Sequence, residues 1–406
     1  MGYLSNVLVL IASRSMALAG FFLLPAVISA NDFKQYALYF ATWQFSSQLL
    51  SMQVGTTFFR CGLLPAFTYK LSLLLGCFYP LVIGALVVLV ASLSFTTILV
   101  PAFFMSVIVA GFIIVSEYAR AKINERLVFV MYMLPGLVYL GLFSFGKLYQ
   151  IEISLTVLLL TESVTYSIMA IVLLVSCNVK VTLPNRELTL AFKRVYPFWQ
   201  RISLPLIPNN LLWYFYFNAP VIIGYKLITN VHLYNDMALL FRFVVAVSTI
   251  SSVLALVFQK KVISIYEQDR IRYLKIKHIF VSLFIPIFFL LSIVLKFISE
   301  YIFALLPLGE SCDVCLVAVD NIEIFIFLFY LFFSIYLMSH YFVAEKNMAV
   351  ISPSMFIGFV VYVASVAIGF NLSLDFNVIS IYSLCISLTI TFIIRYVWLL
   401  NQKKIN

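Results

Sequence analysis

Long apolar runs alternate along the chain with short polar connections. A helix needs roughly 20 mostly apolar residues to cross a hydrocarbon layer about 30 Å thick, at about 1.5 Å per residue. Twelve runs meet that length: near 4–30, 37–58, 71–93, 96–116, 128–146 and 152–176, then 202–224, 237–258, 279–304, 322–342, 350–370 and 377–398. None shows the ten-residue alternation of a membrane barrel, so helices are expected. The opening MGYLSNVLVL lacks a basic leader region and reads as part of a retained span. Asn31-Asp32, Asn235-Asp236 and Asn371 are expected in turns. The most polar long connection, CNVKVTLPNRELTLAFKRVYPFWQR at 177–201, divides six spans from six. This gives a lobe at 1–177, a linker at 178–201 and a lobe at 202–406.

Composition turns this pattern into a class. The 406 residues are 64% hydrophobic and 10% charged, with a mean hydropathy of +1.09. Soluble domains are nearer half apolar and a quarter charged. The expected fold is therefore all-α, a polytopic membrane bundle of about twelve helices in two six-helix lobes. The net charge of +10 would suit nucleic acid, but its placement argues otherwise. With the N-terminus inside, most of the 26 lysines and arginines fall on the inner side, and only Lys34, Lys147, Lys226 and Lys296 fall outside. That bias sets N-in, C-in topology and attracts anionic headgroups.

A few polar residues lie where lipid should exclude them. Arg14, inside ASRSMALAGFFLLP, sits near the middle of the first run. An arginine at that depth costs roughly 2.5–3.5 kcal/mol on insertion scales, so it must meet a partner or a wet cavity. It either pairs with Glu162, in LLLTESVTYS, or meets an anion, for which a guanidinium fork suits phosphate. Glu162 is the one deep acid and the candidate for H⁺ or Na⁺ coupling. Arg242 is shallower and can reach outward. The run LPLIPNNLLWYFYFNAP offers Asn209, Asn210, Trp213 and Asn218, whose amides and aromatic faces suit a sugar. Cys312 and Cys315 form a C-x-x-C that an oxidising compartment can close, and without a nearby His they make no zinc site. No phosphate-binding loop, metalloprotease or nucleophile-elbow motif is present. No enzyme, metal or organic cofactor is expected.

The stretch SRSMALAGFFLLPAVISANDFKQYALYFATWQFSSQLLSMQVGTTFFR resembles the first two spans of bacterial O-antigen flippases of the Wzx type. These belong to the multidrug/oligosaccharidyl-lipid/polysaccharide exporter superfamily. The residues that carry it are Arg14, Pro25, Asp32, Phe33, Tyr36 and Arg60. In the second half, Leu204, Pro205, Val231 and Tyr234 fit the same pattern. Lys34 departs from it, standing where a turn glycine is usual, and Asn218-Ala219 replaces a frequent Asp-Arg pair. Arg242 and Lys226 are the nearby cations that would compensate.

The resemblance implies transfer of an undecaprenyl-diphosphate-linked oligosaccharide from the cytoplasmic to the periplasmic leaflet of the inner membrane. Alternating access through a cationic cavity would carry it, with an O-antigen polymerase and a chain-length regulator as neighbours. Two other readings remain. A polymerase would need a large outer loop, and the longest expected here is about 305–321. A drug or cation antiporter would need acids in its cavity, where only Glu162 is deep.

Overall fold

The structure is a computed structural model that describes residues 22–51, 98–122, 125–177, 204–305, 321–345 and 350–401, with residues 9, 12, 13, 16, 197 and 200. Every regular element among them is helical. The long helices are α1 (Ala30–Ser51), α2 (Leu99–Lys122), α3 (Glu125–Met131), α4 (Leu134–Tyr149), α5 (Leu155–Ser176) and α6 (Ile207–Leu227). They are followed by α7 (Val231–Gln268), α8 (Arg270–Ile279), α9 (Ile285–Leu305), α10 (Ile322–Ala344), α11 (Ile351–Asn371) and α12 (Phe376–Asn401). One π-helical turn, Phe280–Phe284, joins α8 to α9.

Eight helical stretches among the described residues are long and apolar enough to cross a membrane. The chain is a multi-pass membrane protein. Helix α5 shows the solvent it is built for. Val157, Leu160, Val164, Ile168, Ile171 and Val175 are 47–70% exposed along one stripe, while Leu158, Glu162, Thr165, Met169 and Leu173 are buried on the other. In water that stripe would forgo about 25 cal/mol per Å². In lipid it costs nothing, and the polar residue is the one that turns inward.

Local chemistry sets the helix ends. Ser29 Oγ accepts from the Asp32 amide at 3.1 Å, so α1 begins at Ala30, ahead of the expected 37. Polar residues read as loop are here the first turn of a helix. Ser154 caps α5 and Asp269 caps α8 in the same way. Asn230 accepts from the His232 amide at 2.9 Å and starts α7. Asn235-Asp236 therefore lies within α7 rather than in a turn, and the turn itself is 228–230. Gln150 closes α4 in the left-handed conformation, φ 54°. The basic segment Arg270–Ile279 is helical and runs into the following span.

Packing divides the chain into two compact units, 1–235 and 236–406. In the first, α1 packs on α2 and along α6, α2 packs on α5, and α4 packs on α5. A core of Phe112, Val115, Tyr118, Val128, Met169 and Leu173 fills the end where α2, α3 and α5 meet. Because α6 lies against α1, it groups with the first half of the sequence although it follows the 178–201 connection.

In the second unit α11 packs on α12, and α10 packs on both α9 and α12. Gly358 is required at the α11–α12 crossing. A Cβ there would overlap the Thr391 hydroxyl and come within 3.1 Å of the Ser387 carbonyl. At the end of α10, Glu345 accepts from Lys277 at 2.5 Å and from the Tyr273 hydroxyl at 2.9 Å, tying α8 to it.

Candidate functional site

The inward face of α5 presents Glu162, 2% exposed. Its Oε1 accepts from the Tyr36 hydroxyl of α1 at 3.3 Å and from the Tyr139 hydroxyl of α4. The two phenol oxygens lie 3.2 Å apart. Three helices thus converge on one carboxyl oxygen. The Tyr39 hydroxyl and the Trp43 indole N–H of α1 are also buried, and neither has a hydrogen-bond partner among the described residues. Trp43 packs edge-on to Tyr166 of α5, with centroids 5.8 Å apart. The crevice beside Glu162, lined by Pro135, Val138, Tyr139, Thr165 and Tyr166, has no room for a water molecule.

A dry carboxyl ringed by phenols has restricted chemistry. Burying it costs several kcal/mol unless it is neutralised or hydrogen-bonded. Two donors reach Oε1, which can accept them as carbonyl of the acid or as carboxylate oxygen. The arrangement suits proton exchange, whereas a cation would need the crevice to open, since it has no room for a water molecule.

The other expected residues are distributed differently. Arg14 and Arg60 lie outside the described residues, as do Cys312 and Cys315. Arg242 is 4% exposed, buried rather than reaching outward. Lys226 is exposed in the last turn of α6, where a cation suits the helix dipole. Asn209, Trp213 and Asn218 are buried on α6. Asn209 donates to the Asn210 side chain at 3.2 Å, and Asn218 donates to the Tyr214 carbonyl at 2.9 Å. The amide and aromatic face of α6 is therefore enclosed within the protein in this conformation. Glu162 is brought together with Tyr36, and its expected pairing with Arg14 lies outside the described residues.

One functional-looking residue was misread from sequence. Arg395 counts there among the inner-side cations, yet it is fully buried on α12. Its Nε donates to Ser354 Oγ at 2.9 Å, Nη1 to Ser339 Oγ at 2.6 Å and to the Ile335 carbonyl at 3.4 Å, and Nη2 to the Ile351 carbonyl at 3.1 Å. The guanidinium thus bridges α10, α11 and α12. The signal was present in the chain: Ser383, Ser387, Thr391 and Arg395 recur every fourth residue, a polar stripe on one helix face, and all four are buried.

No family model and no curated protein sequence matches the chain. Solved structures do. The crystal structure of a MATE in complex with MaL6 matches with a TM-score of 0.62 at 12% identity, covering 98% of this chain and 96% of the other. The fold is that of the MATE transporters. The eukaryotic MATE transporter AtDTX14 aligns with a TM-score of 0.54 at 13% identity, over 100% of this chain and 97% of its own. An outward-facing multidrug resistance MATE family transporter of the MOP superfamily aligns with 0.52 at 12% identity, over 98% and 91%. These likenesses run along nearly the full length of each chain. In that frame Glu162 is a buried acid of the first half, and Arg395 is a buried cation near the end of the second.

Proposed function

We propose that the chain is a secondary transporter that moves an undecaprenyl-diphosphate-linked oligosaccharide from the cytoplasmic to the periplasmic leaflet of a bacterial inner membrane. The MATE fold supports transport by alternating access. The cargo is argued from one observation, the sign of the buried charge. Among the described residues the fully or nearly buried charged side chains are Glu162 against Arg242, Lys277 and Arg395. Lys277 is neutralised by Glu345, which still leaves cations in excess. Arg14 and Arg60 add to that side by sequence. Cations in excess of acids favour a diphosphate cargo over an organic cation. Glu162, with its tyrosine donors, is the site where an H⁺ or Na⁺ gradient drives the cycle.

The second reading is a drug or cation antiporter. Likeness to a multidrug resistance MATE transporter and the buried acid Glu162 favour it. A deletion strain separates the two. Loss of a flippase leaves single lipid-linked repeat units facing the cytoplasm and no surface glycan. Loss of an antiporter leaves the glycan intact and makes the cells sensitive to lipophilic cations.

A further inference from the structure

Lys34 has no role in the reading above, yet it is one of the best-held lysines in the first unit. It lies in the second turn of α1. Its Nζ donates to the Ile228 carbonyl at 3.1 Å. Ile228 is the residue that closes α6, so the ammonium meets the negative end of that helix. The same ammonium lies 5.2 Å from the ring centroids of both Tyr225 and Tyr234. The two rings meet edge to face at 5.8 Å, and Tyr234 is fully buried with its hydroxyl on the Val221 carbonyl at 3.2 Å. The cage is therefore fixed before the lysine enters it. Close by, Asn235 Nδ2 donates to the Ala30 carbonyl at 3.1 Å. Both contacts join the start of α1 to the α6–α7 connection, and both lie at the end that the cation distribution assigns to the outside.

We infer that Lys34 is a latch that closes the outer end of the seam between α1 and α6 and must let go for that end to open. This rests on the transport reading. Helices α1 and α6 pack along each other. Their buried faces carry Thr42, Ser47, Ser51, Asn209 and Asn218. Thr42, Ser47, Ser51 and Asn218 donate to carbonyls of their own helices while the seam is closed, and the same groups can bond to water or a polar cargo when it opens. A lysine suits the latch because an ammonium released from two rings and a carbonyl is readily hydrated. The hold is strong enough to bias the seam and weak enough to break within a cycle.

The test places spin labels on unnatural residues at the exposed Gln35 and Thr229, with the full chain in lipid nanodiscs and no cargo present. The distance distribution is compared between the parent, Lys34→Gln and Lys34→Arg. Lys34→Gln is expected to raise the ratio of long to short distances about ten-fold. Lys34→Arg should stay close to the parent, because a guanidinium also stacks on tyrosine and donates to the carbonyl. An unchanged distribution in Lys34→Gln, or equal opening in Lys34→Arg, overturns the latch. Movement of lipid-linked oligosaccharide is measured on the same variants. Opening of the seam with no such movement upholds the latch and counts against the transport reading instead.

Discussion

Replacing Arg395 by alanine should loosen the α10–α11–α12 assembly without unfolding the chain. Among the described residues the guanidinium makes these four hydrogen bonds to two neighbouring helices, at 2.6–3.4 Å. Bonds to a charged group contribute about 1.5–3 kcal/mol each when isolated, but these do not simply add. Ser339 and Ser354 already donate to the Ile335 and Ile351 carbonyls of their own helices, at 2.8 and 2.9 Å. After truncation each serine loses only an acceptor role, and both carbonyls keep a partner. Removing the arginine also removes the cost of keeping a charge out of water. The net loss is then about 2–4 kcal/mol, part of it from the cavity left in the core. In detergent this should lower the melting temperature by several degrees. Arg395→Lys should fall between, since a single ammonium cannot span both serines. If Arg395→Ala melts with the parent, the guanidinium is not what joins the three helices.

Glu162→Gln keeps an oxygen for Tyr36 and Tyr139 but cannot exchange a proton. It should melt like the parent while gradient-driven transport falls at least about ten-fold, and undiminished transport would remove Glu162 from the coupling step. Gly358→Ala forces a methyl onto Thr391 and should cost about 1–3 kcal/mol, read as a lower melting temperature. Burial pushes the Cys177 thiol up to about 11. At pH 7.5 on the order of one thiol in a few thousand is ionised, so maleimide labelling of the Cys177 peptide should be slow and accelerate as the pH rises towards that value. Fast labelling at neutral pH would mean that this end of α5 opens to solvent.

The eight spans seen among the described residues were legible because lipid imposes a length and an apolar character that survive in a one-dimensional pattern. The inner-side surplus of Lys and Arg expected from sequence swept in Arg395, whose depth shows only from the serine and threonine stripe beneath it. Boundaries slipped where polar residues belong to helices. Asp32 and Lys34 sit in the first turns of α1, and Asn235 lies inside α7, because a serine or asparagine cap just upstream starts each helix early. The acid Glu162 was readable as deep, but Tyr36 and Tyr139 as its donors were not. They come from helices more than 20 residues away, brought there by packing that no local spacing encodes. The burial of Asn209, Trp213 and Asn218 was hidden for the same reason, since no local spacing shows which face of α6 turns inward.

The central claim is movement of an anionic lipid-linked sugar, and reconstitution tests it most directly. The purified chain is placed in liposomes carrying labelled undecaprenyl-diphosphate oligosaccharide in one leaflet, and a reagent that cannot cross the bilayer reports its arrival in the other. The account predicts transfer that requires the chain, depends on an imposed H⁺ or Na⁺ gradient and is lost in Arg14→Ala. Absence of transfer from a folded protein that exchanges a lipophilic cation under the same gradient would contradict it.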